Sequence, residues 1–268
     1  MTVMYPDGAS LAYKIDHVGA CMPGAEEAFR FCHDRLALPV AWPFAHYGAT
    51  RSGGISLGNL NLEFLDPGLP FLAPRQPAAI GLLAFEPAPR TVDDLIAALS
   101  HLGIPHHGPF TTGSQTSGFT NVHLGPFGVD HGFFCSYHHP GAHDKAPALR
   151  AASLSAAGGG ALALRSVTQI RAALDIDACT MILGTSRAGR WSFATGPDLV
   201  ADQSVAAGMA LMTWLVADID AAAAVLAGLG ARRAGDVVTI DALGGLEIRL
   251  TDTPPIRPSN LADHRRES

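Results

Sequence analysis

Four stretches of this chain follow one grammar, and that repetition constrains the fold more than any single motif does. In each, a short apolar strand leads into an Ala-rich helix and then into strand-like pieces separated by glycine. The first copy opens with "YKIDHVGACM" (Tyr13 to Met22) and continues through "GAEEAFRFCHDRLAL", where Ala28, Phe29, Cys32 and Leu36 fall near helical spacing. It ends in "VAWPFAHYGAT", "RSGGISLGN" and "LNLEFLD". The second opens with "AAIGLLAFEPA" and carries the helix "TVDDLIAALSHLG". Thr91 is its expected N-cap, with Asp93 and Asp94 in the first turn, where the helix dipole favours acids. Its strands run through "PHHGPFTTG", "FTNVHLG" and "DHGFFCSYH". The third copy is weaker: "LRSVTQIRAAL", the short helix "DIDACTMILGT", then "RWSFATGPDLVADQS". The fourth is clear: "MALMTWLVA", "DIDAAAAVLAGLGA" and "DVVTIDALGGLEIRLTD".

Units of roughly 45–65 residues exceed most solenoid repeats. They suit a duplicated α+β unit whose curved sheets pair. The expectation is four βαβββ-type modules forming two tandem half-barrel domains. Modules 1 and 2 take residues 1–140, and modules 3 and 4 take residues 162–253. The Ala-, Gly- and Pro-rich stretch 141–161 reads as a linker with one helical turn, and 254–268 as a tail.

The net charge of −6 comes without a basic stripe, which argues against nucleic acid as a partner. No apolar run approaches the ~20 residues needed to span a bilayer. The first ten residues lack a basic segment followed by an apolar one, so no secretory leader and a cytoplasmic location are expected. Cys21, Cys32, Cys135 and Cys179 are widely spaced without a CxxC, which points to buried thiols rather than disulfides or a zinc finger.

The segments "IDHVGACMPGAEEAFRFCHDRLALPVAW" and "GGISLGNLNLEFLD" resemble the opening strand–helix and the closing strand of the vicinal oxygen chelate superfamily. That superfamily includes glyoxalase I, bleomycin resistance proteins, methylmalonyl-CoA epimerase and extradiol dioxygenases. The fourth copy resembles the same unit through "VADIDAAAAVLAGLGA" and "GGLEIRLTD". The resemblance implies glyoxalase-like half-barrels and a metal-dependent enzyme acting on a small oxygenated molecule. Lyase or isomerase chemistry is favoured over extradiol dioxygenase chemistry, which needs a second histidine beside a carboxylate. The alternative is a metal-free binding or resistance protein of the same fold, and metal-free catalysis with His17 as base is a third reading. The resemblance also allows a homodimer.

It implies a divalent ion (Fe, Mn, Zn, Ni or Co), or none, with His17 and Glu63 as ligands. Strand alternation would put Ile15, His17 and Gly19 on one face and Asn61, Glu63 and Leu65 on another. The bland alternative is a hydrogen-bonded core histidine and a solvent-facing glutamate. The second copy breaks the ligand pattern, because Leu83 aligns with His17. Its closing strand offers His131, Cys135, Tyr137 or His138 but no glutamate. Gln169 aligns with His17 in the third copy and Glu247 with Glu63 in the fourth; both, with His138, are secondary ligand candidates.

Seven of the twelve histidines lie between His101 and His139. Among them His123 is the best strand-borne candidate for a base or a missing ligand. His46, Tyr47 and Arg51, in "AHYGATR", are expected to reach substrate, with Arg51 suited to a carboxylate. Phe134 and Tyr137 are expected to wall a pocket, with Trp42, Phe44, Phe119 and Phe133 as further aromatic candidates. The glycine runs at Gly53–Gly54 and Gly158–Gly160 do not open a helix in the manner of a phosphate loop.

Overall fold

The computed structural model describes residues 10–47, 50–68, 72, 74–88, 91–114, 118–138, 142–193 and 195–254. His139 and all of the expected tail except Pro254 lie outside the described residues. The first module is β1 (Ala12–Cys21), α1 (Ala25–Arg30, continued by a π-helical turn at Phe31–Arg35), β2 (Val40–Tyr47), β3 (Thr50–Ser56) and β4 (Asn61–Leu65). The second is β5 (Ile80–Pro87), α2 (Val92–His101), β6 (His107–Thr112), β7 (Phe119–Gly125) and β8 (His131–Tyr137). Thr91 caps α2 as expected, its hydroxyl accepting from the Asp94 amide at 3.0 Å.

The stretch read as a linker with one turn holds a fifteen-residue helix, α3 (Ala142–Ala156). Alanines and the helix formers Leu149, Arg150 and Leu154 carry it despite its proline. It stops at Gly158, Gly159 and Gly160, which all take positive φ. Among the described residues the third module has one strand fewer: β9 (Leu164–Ala172), α4 (Ile176–Leu183), β10 (Arg190–Trp191) and β11 (Asp198–Ala201). The fourth is complete: β12 (Ala210–Val216), α5 (Ile219–Gly228), β13 (Arg232–Ala234), β14 (Val237–Ile240) and β15 (Leu246–Thr251).

One rule orders the sheet. Each opening strand runs parallel to the closing strand of its own module: β1 with β4, β5 with β8, β9 with β11 and β12 with β15. Opening strands then pair antiparallel, β1 with β5 and β9 with β12. The halves join through Ala210 opposite Ile80, giving a fifteen-stranded sheet. This is the mixed α+β architecture expected of the repeat.

The strands of the first half have two distinct faces. Ile15, Val18, Leu62, Phe64, Leu83, Phe85 and Phe134 pack with Phe29, Leu95 and Leu99 of the helices. On the other, concave face Cys21, Leu65, Leu82, Ala84, Phe133 and Cys135 form a separate cluster, with Phe119 and Tyr137 against it. All four cysteines are buried and free. Among the described residues no helix is long and apolar enough to cross a membrane.

Candidate functional site

The site begins with an irregularity in β1. The β1–β5 register shifts between Ile15 and His17. A regular strand would send Asp16 and His17 to opposite faces. Here Ile15 and Val18 both enter the helix-facing core, and the two residues between them turn to the concave side. Ile15 therefore does not share a face with His17, as simple alternation requires. Gly19 allows the strands to close beside this bulge: a Cβ there would meet Leu65 at 2.8 Å and Leu82 at 3.2 Å. Gly19 pairs with Glu63, which brings Glu63 alongside His17.

The resulting array is buried and tightly bonded. His17 Nδ1 lies 2.8 Å from Asp16 Oδ2. His17 Nε2 lies 3.5 Å from Glu63 Oε2, with the side chains 7% and 12% exposed. Asp16 Oδ2 also accepts from the Tyr137 hydroxyl at 2.6 Å. The Arg150 guanidinium donates to Asp16 Oδ1 at 2.8 Å and to the Asp16 main-chain carbonyl at 3.1 Å. A second buried pair, Lys14 with Glu86 at 2.6 Å, lies in register on the same two strands.

These contacts decide where protons sit. Burial works against the Asp16 charge, but the His17 hydrogen bond, the Arg150 charge and the Tyr137 hydroxyl outweigh it and hold this carboxyl well below the usual carboxylate range. Burial also opposes charge on His17, yet the Asp16 hydrogen bond and the charges of Glu63 and Asp16 raise its pKa. Burial raises the Glu63 carboxyl, against the lowering effects of His17 and the Ser52 hydroxyl. The arrangement is an imidazole of raised pKa held between an anchored carboxylate and a carboxylate whose basicity burial has increased.

Aromatic rings enclose the pair. His17 meets Trp42 edge-on at 5.7 Å and Phe133 at 5.5 Å. Gly54, opposite Glu63 on β3, leaves the space that the Trp42 ring fills against the sheet. Beyond Phe133 lies a histidine pair, His123 Nδ1 and His131 Nε2 at 2.6 Å, with His123 stacked on Phe133. Burial and the neighbouring His123 lower His131 to about 4, and burial with the nearby His107 lowers His123.

Other sequence candidates lie apart. Phe134 does not line the cup; it is fully buried in the helix-facing core against Phe85, and Phe133 is the cup-facing neighbour. Leu83 also faces the helices, so the cup-facing residues of β5 are Leu82 and Ala84. Arg51 is held by Glu26 and, at 2.9 Å, by Asp66, and it lies over Phe44. His46 is exposed on β2, and the Tyr47 hydroxyl donates to the Pro43 carbonyl at 2.9 Å. His138 bonds Thr120 Oγ1 and the Ser114 carbonyl, each at 2.8 Å. Gln169 accepts from Arg171 at 3.2 Å, and Glu247 is exposed opposite Thr239. Asp16 and Arg150 were not legible as site residues: alternation sends Asp16 to the wrong face, and Arg150 lies in a stretch that reads as a connection.

No family model matches the sequence, and no curated protein is similar to it by sequence. Solved structures do match its shape. The Mn(II)-bound glyoxalase from Novosphingobium aromaticivorans is 12% identical with a TM-score of 0.54, over 90% of this chain and 82% of that one. Homoprotocatechuate 2,3-dioxygenase from Arthrobacter globiformis is 15% identical with a TM-score of 0.54, over 95% of this chain and 85% of that one. A hypothetical protein from Staphylococcus aureus is 10% identical with a TM-score of 0.52, over 89% and 98%. The chain has the vicinal oxygen chelate fold.

Within the vicinal oxygen chelate fold the concave face is where the polar array just described lies, and the fold raises the question of a metal. A divalent ion held by protein alone needs three or more donors around one point. His17 Nε2 and Glu63 provide two. The apolar cluster on this face of β5 and β8 is Leu82, Ala84, Phe133 and Cys135, with Tyr137 against it and its hydroxyl on Asp16. Among the described residues no group of three His, Cys, Asp or Glu side chains is arranged to hold a metal ion. The residues do not fit a full protein shell, and the chemistry below is derived without one.

Proposed function

We propose that this protein is an enzyme of the vicinal oxygen chelate fold that moves a proton on carbon next to a carbonyl of a small oxygenated molecule, an isomerase or lyase rather than a dioxygenase. The observation that carries the reading is the buried Asp16–His17–Glu63 array. Glu63, its basicity raised by burial, takes the proton from carbon. The electron pair moves to the carbonyl oxygen, and His17 Nε2–H donates to the oxygen that gains charge. Asp16, bonded at Nδ1, keeps the ring charged and oriented. Return of the proton to either carbon gives isomerisation; loss of a β-substituent gives elimination. Shifted ionisable groups converging in a buried cup favour catalysis over simple binding.

A specific observation favours a second reading. The carboxylate bond at Nδ1 is the arrangement that directs Nε2 of a histidine towards a metal. His17 Nε2 and Glu63 would then be two protein ligands to a divalent ion, with substrate oxygens completing the shell.

The test is deuterium incorporation, followed by proton NMR, into a panel of carbonyl compounds with an acidic α-C–H in heavy water. Wild-type protein is expected to catalyse exchange on one class, and Glu63→Gln to slow it by roughly 10²–10⁴-fold. Tight binding without exchange would establish a binding protein instead. Elemental analysis separates the readings: stoichiometric metal that His17→Ala loses supports the second, and active metal-free protein supports the first.

A further inference from the structure

Among its described side chains, α3 reaches the site with Arg150. Its Leu154 is buried in the main core, beside Gly58 of the β3–β4 connection, and much of the rest of its described surface is exposed. Arg150, one turn before Leu154 on the same face of the helix, reaches Asp16, 134 residues earlier in the chain. Its side chain is only 12% exposed. The two bonds go to different parts of one residue, the carboxylate Oδ1 and the main-chain carbonyl. Such a fork fixes direction as well as charge.

Both carboxylate oxygens of Asp16 are then engaged. Oδ1 takes Arg150, and Oδ2 takes Tyr137 and His17. The bulge at Asp16 is what turns His17 into the cup, and Arg150 holds the main-chain carbonyl of that same residue. If Arg150 leaves, the buried carboxylate loses its counter-charge and the bulge loses a donor. The carboxylate is then free to rotate, and the imidazole loses its fixed partner.

We propose that Arg150 is the positioning residue of this site: by gripping the side chain and main chain of Asp16 together, it holds His17 with Nε2 on Glu63, so that the docking of α3 and the competence of His17 are one event. The consequence for catalysis rests on the proton-transfer reading above; the positioning itself does not. Arg150 touches neither His17 nor Glu63 in the contacts described, and it acts through Asp16. α3 thereby ties the stretch between the two halves to the chemistry of the first.

The test reads the His17 ring directly, without substrate. In ¹⁵N-labelled wild-type protein, the His17 Nδ1–H buried against Asp16 is expected to give a slowly exchanging downfield proton resonance, assigned by its loss in His17→Gln. Arg150→Ala is expected to broaden or abolish this resonance while the backbone amide spectrum stays dispersed. Millimolar guanidinium ion is expected to restore it in part. Arg150→Lys, which keeps the charge but not the fork, is expected to retain the fold and shift the resonance. An unchanged shift and exchange rate in folded Arg150→Ala would overturn the proposal. Should that variant fail to fold, an unchanged resonance in Arg150→Lys would overturn it. Under the proposed reaction Arg150→Ala also lowers kcat by roughly ten- to a hundred-fold with KM little changed. A purely structural arginine would lower the melting temperature without moving the resonance. An altered resonance in a protein that exchanges no substrate would sink the reaction and leave the positioning intact.

Discussion

The two halves of the molecule place the same strand position in two different environments. His17 on β1 lies between Asn61 on its parallel neighbour and Ala84 on its antiparallel one. Gln169 on β9 lies between Asp198 and Thr213 in the same relation. Two residues along the closing strand, Glu63 in the first half corresponds to Val200 in the second. Around His17 the counter-charges are buried. Around Gln169 the amide oxygen accepts from Arg171, which pairs with Asp202 at 3.0 Å near the surface, their side chains 28% and 20% exposed. The difference teaches that this architecture supplies positions, while chemistry depends on what desolvates and balances them. The second half has the same strand pairing with a different set of contacts at the matching position.

The largest expected contrast is in activity. His17→Ala and Glu63→Gln should each reduce proton exchange by roughly 10²–10⁴-fold, whereas Gln169→Ala and Glu247→Gln should leave it within about twofold. Comparable losses in both halves, measured as kcat/KM on one substrate, would break the comparison.

Next comes stability. Asp16→Ala strands Arg150 beside a buried array and should cost about 3–5 kcal/mol. Asp202→Ala, at a half-exposed pair, should cost less than about 1 kcal/mol. Urea titrations of the two variants against wild type check both; equal costs would mean that burial does not separate the halves.

The smallest effect is a pair of opposite pH slopes within the first half. The folded-state pKa of His17 is raised, so its stabilisation is complete below about 6.5 and is lost as pH rises through the higher folded value. His131 is lowered to about 4 in the fold, so the unfolded chain binds its proton first and stability is lost as pH falls from about 6.5 towards that value. Unfolding midpoints measured from pH 4 to 8 should lose the upper slope in His17→Gln and the lower one in His131→Asn. Either variant with the wild-type profile would remove that residue from the account.

Much of the scaffold was legible because it is written locally. Thr91 two residues before Asp93, the helical spacing of Ala28, Phe29 and Cys32, and the alternation around Glu63 each act over a few residues. The third copy's weakness in sequence corresponds to a module with one strand fewer. The site was legible in outline, since His17 and Glu63 meet. Its alignment to the second copy was displaced by one residue at Leu83, because a bulge shifts which side chains share a face. Phe134 and Phe133 were exchanged for the same kind of reason: adjacent strand residues of similar character face opposite ways.

Local pattern alone, then, was enough for the repeated modules and their α+β class, since periodicity and capping need only neighbours; the pairing of His17 with Glu63 came from the resemblance to the vicinal oxygen chelate superfamily. The fold itself had to decide the surroundings of His17. Its anchor Asp16 is held by Tyr137 and Arg150, 121 and 134 residues away, and their charges count because all of them are brought out of water at one point.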